Sequence, residues 1–171
     1  MDFVAAILKF QNLTSTVANE TDVWQALQGL AAVRPGCKLF TVMTVDLGAG
    51  LARRAFSSHP VDYPVSGTKP IHFDRWFEIV HGQKRSFVAN TIEDIATVFP
   101  DHALIASLGC GSVLNLPVVV RGELVATINM LDAAHHYTPE RVAAAEADLR
   151  VPAQLCWALA TLFDRDRKSP D

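Results

Sequence analysis

Two apolar runs separated by a short charged turn form the clearest pattern in the chain. Residues 112–120 and 124–131 are rich in valine, leucine and isoleucine, and an arginine, a glycine and a glutamate stand between them. Because side chains alternate between the two faces of a strand, each run has one wholly apolar face and one mixed face. The pattern predicts an antiparallel β-hairpin. We expect the apolar faces to pack on helices, and the mixed faces to border a pocket with Asn115, Thr127 and Asn129.

Helical periodicity marks both ends of the chain. Apolar residues recur at spacings of three and four over 1–17, 23–31 and 142–163, which predicts three amphipathic helices. The pair Thr138-Pro139 is typical of a helix start, with a capping threonine before a proline at the first helical position. Pro152 lies inside the last helix, where we expect it to kink the axis.

Between these helices, the chain alternates short strands with loops and short helices. Residues 37–46 and 51–58 are predicted to be paired strands, and 86–89 a further short strand. The segment 59–70 contains three prolines, which predicts a long loop. Short helices are expected between Phe73 and Leu108. The whole pattern predicts an α+β domain with one antiparallel sheet of about five to six strands, terminal helices on one face, and short helices and loops over a pocket on the other.

Composition indicates a globular protein without a nucleic-acid or membrane signature. Half of the 171 residues are hydrophobic, and the formal net charge is −3. The sequence shows no basic stripe, and no apolar run is long enough to span a bilayer. The three cysteines form no CxxC pair, so we expect a reducing, cytoplasmic compartment. We predict a single domain over 1–165, a polar tail over 166–171, and no nucleic-acid or membrane partner.

No motif in the sequence indicates a metal, nucleotide or catalytic serine site. The six histidines form no HxH, HxxxH or HExxH pattern. The P-loop, dinucleotide-binding and G-x-S-x-G patterns are missing as well. Cys110 stands between two glycines, without a positive neighbour in sequence to activate it, so we expect an unpaired and nonessential thiol. We therefore expect no metal and no cofactor.

The hairpin and the helix after it resemble the end of a GAF domain. The resemblance rests on the S-x-L-x-x-P strand that starts at Ser112, the R-G-E-L turn, the N-x-L-D end of the second strand and the Y-T-P-E helix start. The layout of nearly the whole chain agrees with it. In that family, the sheet face opposite the terminal helices holds the ligand pocket, and the terminal helices often pair with a second copy. The resemblance implies a sensory or ligand-binding fold without identifying the ligand.

Single-domain GAF proteins of this size include an enzyme group, the free methionine-R-sulfoxide reductases. The segment 99–102 looks like the F-P-x-H that precedes their catalytic cysteine, but Ile105 stands where that cysteine would be. The acids that hold their substrate correspond to Val113, Asn129 and Leu131, so a cationic amine would lose all three negative partners. The family's cyclic-nucleotide and bilin-attachment patterns are also missing, and we expect no catalysis.

The sequence therefore predicts a stand-alone GAF-like module that binds a small molecule without transforming it. The ligand is expected to be neutral or weakly polar and held mainly by apolar contact. Two alternatives stay open: a structural or dimerisation module with a collapsed pocket, and a divergent thiol oxidoreductase that uses Cys110. The predicted pocket lining is Phe56, Trp76, Phe77, Asn90, Phe99, His102, Val113, Asn115, Thr127 and Asn129.

The last helix is apolar on more than one side, because no charged residue occurs between Val151 and Phe163. A helix that is apolar all round needs cover beyond the sheet. The first helix supplies some of that cover, or in the alternative all of it. We expect a patch around Trp157 to remain, and a homodimer to form through the first and last helices.

Overall fold

The protein folds around one antiparallel sheet, seen here in a computed structural model that describes residues 2–65, 67–72 and 74–168, with residues 165–168 described by their backbone alone. Its strands are β1 Leu39–Asp46, β2 Leu51–Ser57, β3 Thr68–Pro70, β4 Phe87–Ala89, β5 Ser112–Val120 and β6 Glu123–Asp132. They lie side by side in the order β3-β2-β1-β6-β5-β4. The predicted hairpin is β5 and β6, and β6 pairs with β1 at the centre of the sheet. The predicted fold class is thereby confirmed.

Helices cover both faces of this sheet. The described residues form α1 Phe3–Thr14, α2 Glu20–Val33, α3 Arg75–Phe77, α4 Ile92–Ala96, α5 His102–Ser107 and α6 Pro139–Lys168. The short helix α3 continues directly into a π-helical turn, Glu78–Gly82. Across the described ranges, none of these helices has the length and apolarity that a bilayer-spanning helix needs.

The terminal helices α1, α2 and α6 cover one face of the sheet, as predicted. Leu114, Leu116, Ile128 and Met130 point to this side, and none of them has solvent-exposed surface. They share one core with Trp24 of α2 and with the buried side of α6. Burying each aliphatic side chain of this kind stabilises the fold by about 1.5–3 kcal/mol. This core leaves the mixed face of the hairpin for the other side of the sheet.

A β-bulge between β1 and β2 decides which side chains of β2 reach that other side. Val42 pairs with Phe56, but the next residue, Met43, pairs with Arg54. The extra residue, Ala55, lets Phe56 and Arg54 point to opposite faces although they are only two positions apart. Phe56 joins the core under the terminal helices, and Arg54 points away from them.

Two segments differ from the sequence-based prediction. The segment 59–70 is not wholly a loop, because Thr68–Pro70 forms the edge strand β3 beside β2. Proline is tolerated at an edge, where no neighbouring strand needs its missing N–H. The last helix continues to Lys168, beyond the apolar repeat that ends at Phe163, while residues 169–171 lie outside the described part of the chain. Phe73, which we predicted to begin the middle helices, also lies outside the described residues.

Candidate functional site

A cavity of about 350 Å³ lies between the sheet and the short helices, on the side away from α1, α2 and α6. This volume is near the lower end of the range for small-molecule sites. Strands β1, β2, β5 and β6 form its floor, and its walls come from Tyr63, the end of β3 with the residues that follow it, α3, and the segment 98–105. The mixed face of the hairpin borders the cavity, as the alternation pattern predicted.

Most of the predicted lining residues are brought together here, and three are not. Those that line the cavity are Trp76, Phe77, Phe99, Val113, Asn115, Thr127 and Asn129. Phe56 lies under the terminal helices because of the bulge at Ala55. The predicted position of Phe56 is therefore corrected by an irregularity that the alternation pattern does not reveal.

Asn90 and His102 are the other two residues that do not line the cavity. The Asn90 amide donates from Nδ2 to the carbonyl oxygen of Tyr137 at 3.0 Å, and its Oδ1 accepts from the Tyr137 N–H at 3.2 Å. Both ends of the amide are thus used to fix the chain between β6 and α6. His102 is the first residue of α5, where its Nδ1 lies 3.2 Å from the carbonyl oxygen of Phe99. Both residues have structural partners instead of a place on the cavity wall.

A row of polar side chains crosses the cavity floor and ends on an aromatic wall. Asn115 lies directly opposite Asn129, which lies opposite Thr41 on the next strand. Asn115 Nδ2 donates to Asn129 Oδ1 at 2.7 Å, and Asn129 Nδ2 donates to Thr41 Oγ1 at 3.2 Å. The indole Nε1 of Trp76 donates to Asn115 Oδ1 at 2.9 Å. The asparagines therefore satisfy one another and hold Trp76 in place.

Thr127 differs from this row because its hydroxyl has no hydrogen-bond partner among the described residues. The residue is 0 % exposed and lies on the cavity side of β6, opposite Met43 of β1. A buried hydroxyl without a partner costs about 1–3 kcal/mol relative to one that is paired. Thr127 is thus a polar group of the cavity floor that the protein itself leaves unused.

We expect Thr127→Val to raise the free energy of unfolding by about 1 kcal/mol, because it removes an unpartnered hydroxyl and keeps the shape of the side chain. Thr41→Val is the matched control on the same face. It should lower the free energy of unfolding by about 1 kcal/mol, because Thr41 Oγ1 accepts a hydrogen bond from Asn129. Urea unfolding of the two variants measures the difference. An equal decrease in the free energy of unfolding of both variants would contradict the assignment of Thr127 as unpartnered.

Tyr63 closes one side of the cavity through two strong contacts. Its hydroxyl donates to Asp101 Oδ2 at 2.5 Å, and the Arg54 guanidinium carbon lies 3.9 Å from the centre of its ring. Burial, and next the hydrogen bond to Asp101, raise the pKa of Tyr63 above its usual value, while Arg54 acts in the opposite direction. The phenol therefore stays protonated and donates to Asp101 over the physiological range. These contacts fix the otherwise irregular segment that follows β2.

The cysteines carry no sign of an activated nucleophile. All three are free, as predicted for Cys110. Burial, and next the negative charge of Asp132, raise the pKa of the Cys110 thiol, although Lys38 opposes this shift. Burial raises the pKa of Cys37 to about 12. Cys110 also lies outside the cavity described above, and within the described ranges no group of three or more histidine, cysteine or acidic side chains is arranged to hold a metal ion.

Comparison with known proteins identifies the fold. No family model matches the chain, and no curated protein matches it in sequence. Among solved structures, it is similar to the GAF domain of a phosphoenolpyruvate-protein phosphotransferase from Coxiella burnetii, with a TM-score of 0.66, 14% identity and 98% of both chains covered. It is also similar to the GAF domain of a two-component sensor histidine kinase from Bacillus halodurans, with a TM-score of 0.60, 11% identity, and 86% of this chain and 95% of that chain covered.

An enzyme of the same fold is also among these neighbours. Free methionine-R-sulfoxide reductase from Neisseria meningitidis, solved with its substrate, aligns with a TM-score of 0.58 at 17% identity, covering 97% of this chain and 95% of that chain. At these identities, the comparisons establish the fold alone. The chain has a GAF-like fold, as the hairpin motifs indicated.

Proposed function

We propose that this protein is a sensory or regulatory module that binds a small molecule in the cavity and does not transform it. The observation that carries this proposal is the cavity of about 350 Å³, which has apolar and aromatic walls and a buried, unpartnered hydroxyl at Thr127. A few polar groups in a largely apolar concave site are typical of ligand pockets. Neighbours of the same fold that are parts of a sensor kinase and of a phosphotransferase support a regulatory role.

The open cavity favours ligand binding over the alternative of a collapsed pocket. That alternative requires Trp76 and Phe99 to fill the space between the sheet and the short helices. Trp76 is instead held at the wall by its hydrogen bond to Asn115, and Phe99 packs edge-on against Phe87 with ring centres 6.0 Å apart. Both side chains line the cavity and leave space between them.

Thermal unfolding in the presence of candidate small molecules tests ligand binding directly. A ligand that binds only the folded state raises the melting temperature in proportion to the logarithm of its concentration above Kd. Ala52→Trp supplies the matched control, because Ala52 lies on the cavity side of β2 and a large side chain there fills the space. A compound that stabilises the native protein and leaves the variant unchanged would support the proposal. Equal stabilisation of both would place the binding elsewhere.

We expect no reduction of free methionine-R-sulfoxide by this protein. Ile105 is buried in the cavity wall where the resemblance places the catalytic cysteine, and Val113 and Leu131 also line the wall where that resemblance places acids. Thiol-based reduction requires an attacking thiolate, which none of these side chains supplies. Turnover measured with a thioredoxin-type reductant should match a no-enzyme control, while an authentic reductase serves as the positive control. Turnover above background would contradict this account.

We also propose that the module is a homodimer that forms through α1 and α6. Trp157 is not the exposed patch that the sequence suggested, because it is half-buried and packs against the core of the terminal helices. The exposed apolar side chains of α6 are instead Val151, Leu155 and Leu162, whose spacing of four and seven places them along one stripe. On α1, Val4 is 70% and Leu8 56% exposed. A second copy of this chain would cover both helices in a symmetric contact.

The proposed setting is the cytoplasm, without nucleic acid or a membrane as a partner. Three free thiols are maintained in a reducing compartment. The net charge of −3 does not favour binding to nucleic acid.

A further inference from the structure

Arg54 brings to the cavity a positive charge that forms no salt bridge with an acid of the described residues. Its Nη1 donates to the carbonyl oxygen of Pro64 at 2.8 Å, and its guanidinium stacks on Tyr63. Its Nε is buried and has no hydrogen-bond partner among the described residues. The salt bridges among the described residues involve other side chains. The edge formed by Nε and Nη2 is therefore free, and this is the edge that binds a carboxylate through two parallel N–H···O bonds.

The two acids on the cavity wall already have partners within the chain. Asp74 Oδ1 accepts from the N–H of Phe77 at 2.9 Å and caps α3. Asp101 accepts from the Tyr63 hydroxyl. Lys69, on the edge strand beside β2, adds a second positive charge at an exposed position of the lining. The positive charges of the lining, Arg54 and Lys69, thus lie on strands β2 and β3, whereas its two acids lie on the walls and are bonded within the chain.

Thr127 and Arg54 belong to one row of the sheet. Thr127 lies opposite Met43, and Met43 lies opposite Arg54. Neighbouring strands are about 4.8 Å apart, so the backbones of Thr127 and Arg54 are about 10 Å apart across the cavity floor. The surface between these two unused polar groups is apolar, with Met43 on the floor and Ile105 on the opposite wall.

We propose that the ligand is a small organic acid whose carboxylate binds the free edge of Arg54, whose apolar body lies over Met43, and whose far end offers a hydrogen-bonding group to Thr127. This inference rests on the proposed ligand-binding function and adds its chemical class. It replaces the expectation of a neutral ligand, which was based on a pocket lining without Arg54. An amine is disfavoured beside Arg54, because its positive charge would be repelled by the guanidinium.

Fluorine NMR of protein labelled with 5-fluorotryptophan reads out binding at this cavity. The chain has three tryptophans. Trp76 lines the cavity, whereas Trp24 and Trp157 pack in the core of the terminal helices and serve as internal controls. The probes are 4-hydroxyphenylacetate, its amide and tyramine, which share one body and differ in charge. Hexanoate and hexanamide repeat the comparison with a flexible body. We expect both acids to move the Trp76 resonance with an affinity about tenfold or more above that of their amides.

Two variants and one control variant locate the charge and the far hydrogen bond. Arg54→Gln should lower the affinity for 4-hydroxyphenylacetate about tenfold or more and leave the affinity for its amide unchanged. Arg53→Gln removes the same charge from the opposite face, where Arg53 pairs with Glu20 at 2.6 Å, and should leave the affinity for both unchanged. Thr127→Val should lower the affinity for 4-hydroxyphenylacetate about threefold without changing that for phenylacetate, which lacks the hydroxyl.

The outcomes separate this inference from the proposed function. The inference is supported if the acids bind tenfold more tightly than their amides and if Arg54→Gln, but not Arg53→Gln, lowers the affinity for the acid. If acid, amide and amine move the Trp76 resonance with equal affinity, the cavity binds ligands but the acid assignment is wrong. A Trp76 resonance that none of the five probes moves contradicts the proposed function together with the inference. The comparison of acid with amide needs only the native chain, so it holds even if a variant fails to fold.

Discussion

Replacing Asn115 with leucine is expected to lower the free energy of unfolding by about 2–4 kcal/mol. The amide is buried and bonded on both sides, to Asn129 and to the indole of Trp76. Leucine has a similar volume but leaves the Oδ1 of Asn129 and the Nε1 of Trp76 without their partners. Each buried polar group that loses its partner costs about 1–3 kcal/mol, and a connected network loses more than its separate bonds suggest.

Urea unfolding measures this loss, and an unchanged slope with denaturant would show that the unfolded state is the same. Thr127→Val is the control, because it exchanges a polar for an apolar side chain on the same face without breaking a hydrogen bond. The 5-fluorotryptophan resonance of Trp76 should also shift in Asn115→Leu, because its hydrogen bond is lost. A change below about 0.5 kcal/mol, within the range of surface substitutions, would mean that the polar row does not hold the cavity wall.

Leu155→Glu is expected to convert the dimer into a monomer. Leu155 is 44% exposed and lies between Val151 and Leu162 on the apolar stripe of α6. In a symmetric contact each copy would contribute one such carboxylate, so two negative charges would be buried at its centre without a positive partner. The folded monomer should be unaffected, because the position already faces solvent.

Sedimentation at micromolar concentration measures the change as a fall from about twice 18.7 kDa to 18.7 kDa. Ala143→Glu is the matched control, since it adds the same charge at an exposed position of α6 about three turns away. The control should stay dimeric. A native mass of 18.7 kDa at every concentration would contradict the proposed dimer.

The fold was predictable because its strongest signals are periodic. Alternation over β5 and β6 assigns each side chain to a face, and the structure places Leu114 and Ile128 under the helices and Asn115 and Thr127 at the cavity. The edge strand β3 was not predictable in the same way. It has only three residues and ends in a proline, so it contains too little of a repeat to be distinguished from a loop.

The site was only partly predictable, because its decisive features are irregular. The bulge at Ala55 places Phe56 and Arg54 on opposite faces of the sheet, and no residue type near it indicates that an extra residue is present. The contact of Asn115 with Asn129 depends on the register of β5 with β6, and the contact of Asn129 with Thr41 depends on the register of β1 with β6. Sequence reasoning therefore found the amides and missed that they bind each other.

Long-range contacts account for the remaining misses. Arg54 and Tyr63 are nine residues apart and meet only because the segment after β2 folds back over the strand. Asp101 completes this contact from another part of the chain, at the turn before α5. A proline-rich segment with one tyrosine signals a loop but does not indicate what the loop contacts. The free edge of Arg54, on which the proposed ligand class depends, is visible only in three dimensions.

Native mass spectrometry of the purified chain after incubation with the low-molecular-mass fraction of its source cells tests the central claim most directly. The account predicts a small molecule that remains bound to the native protein, is released on collisional activation, and is missing from the folded Ala52→Trp variant, whose cavity is filled. The same adduct on both proteins, or none on either, would contradict the claim that this cavity is a ligand site.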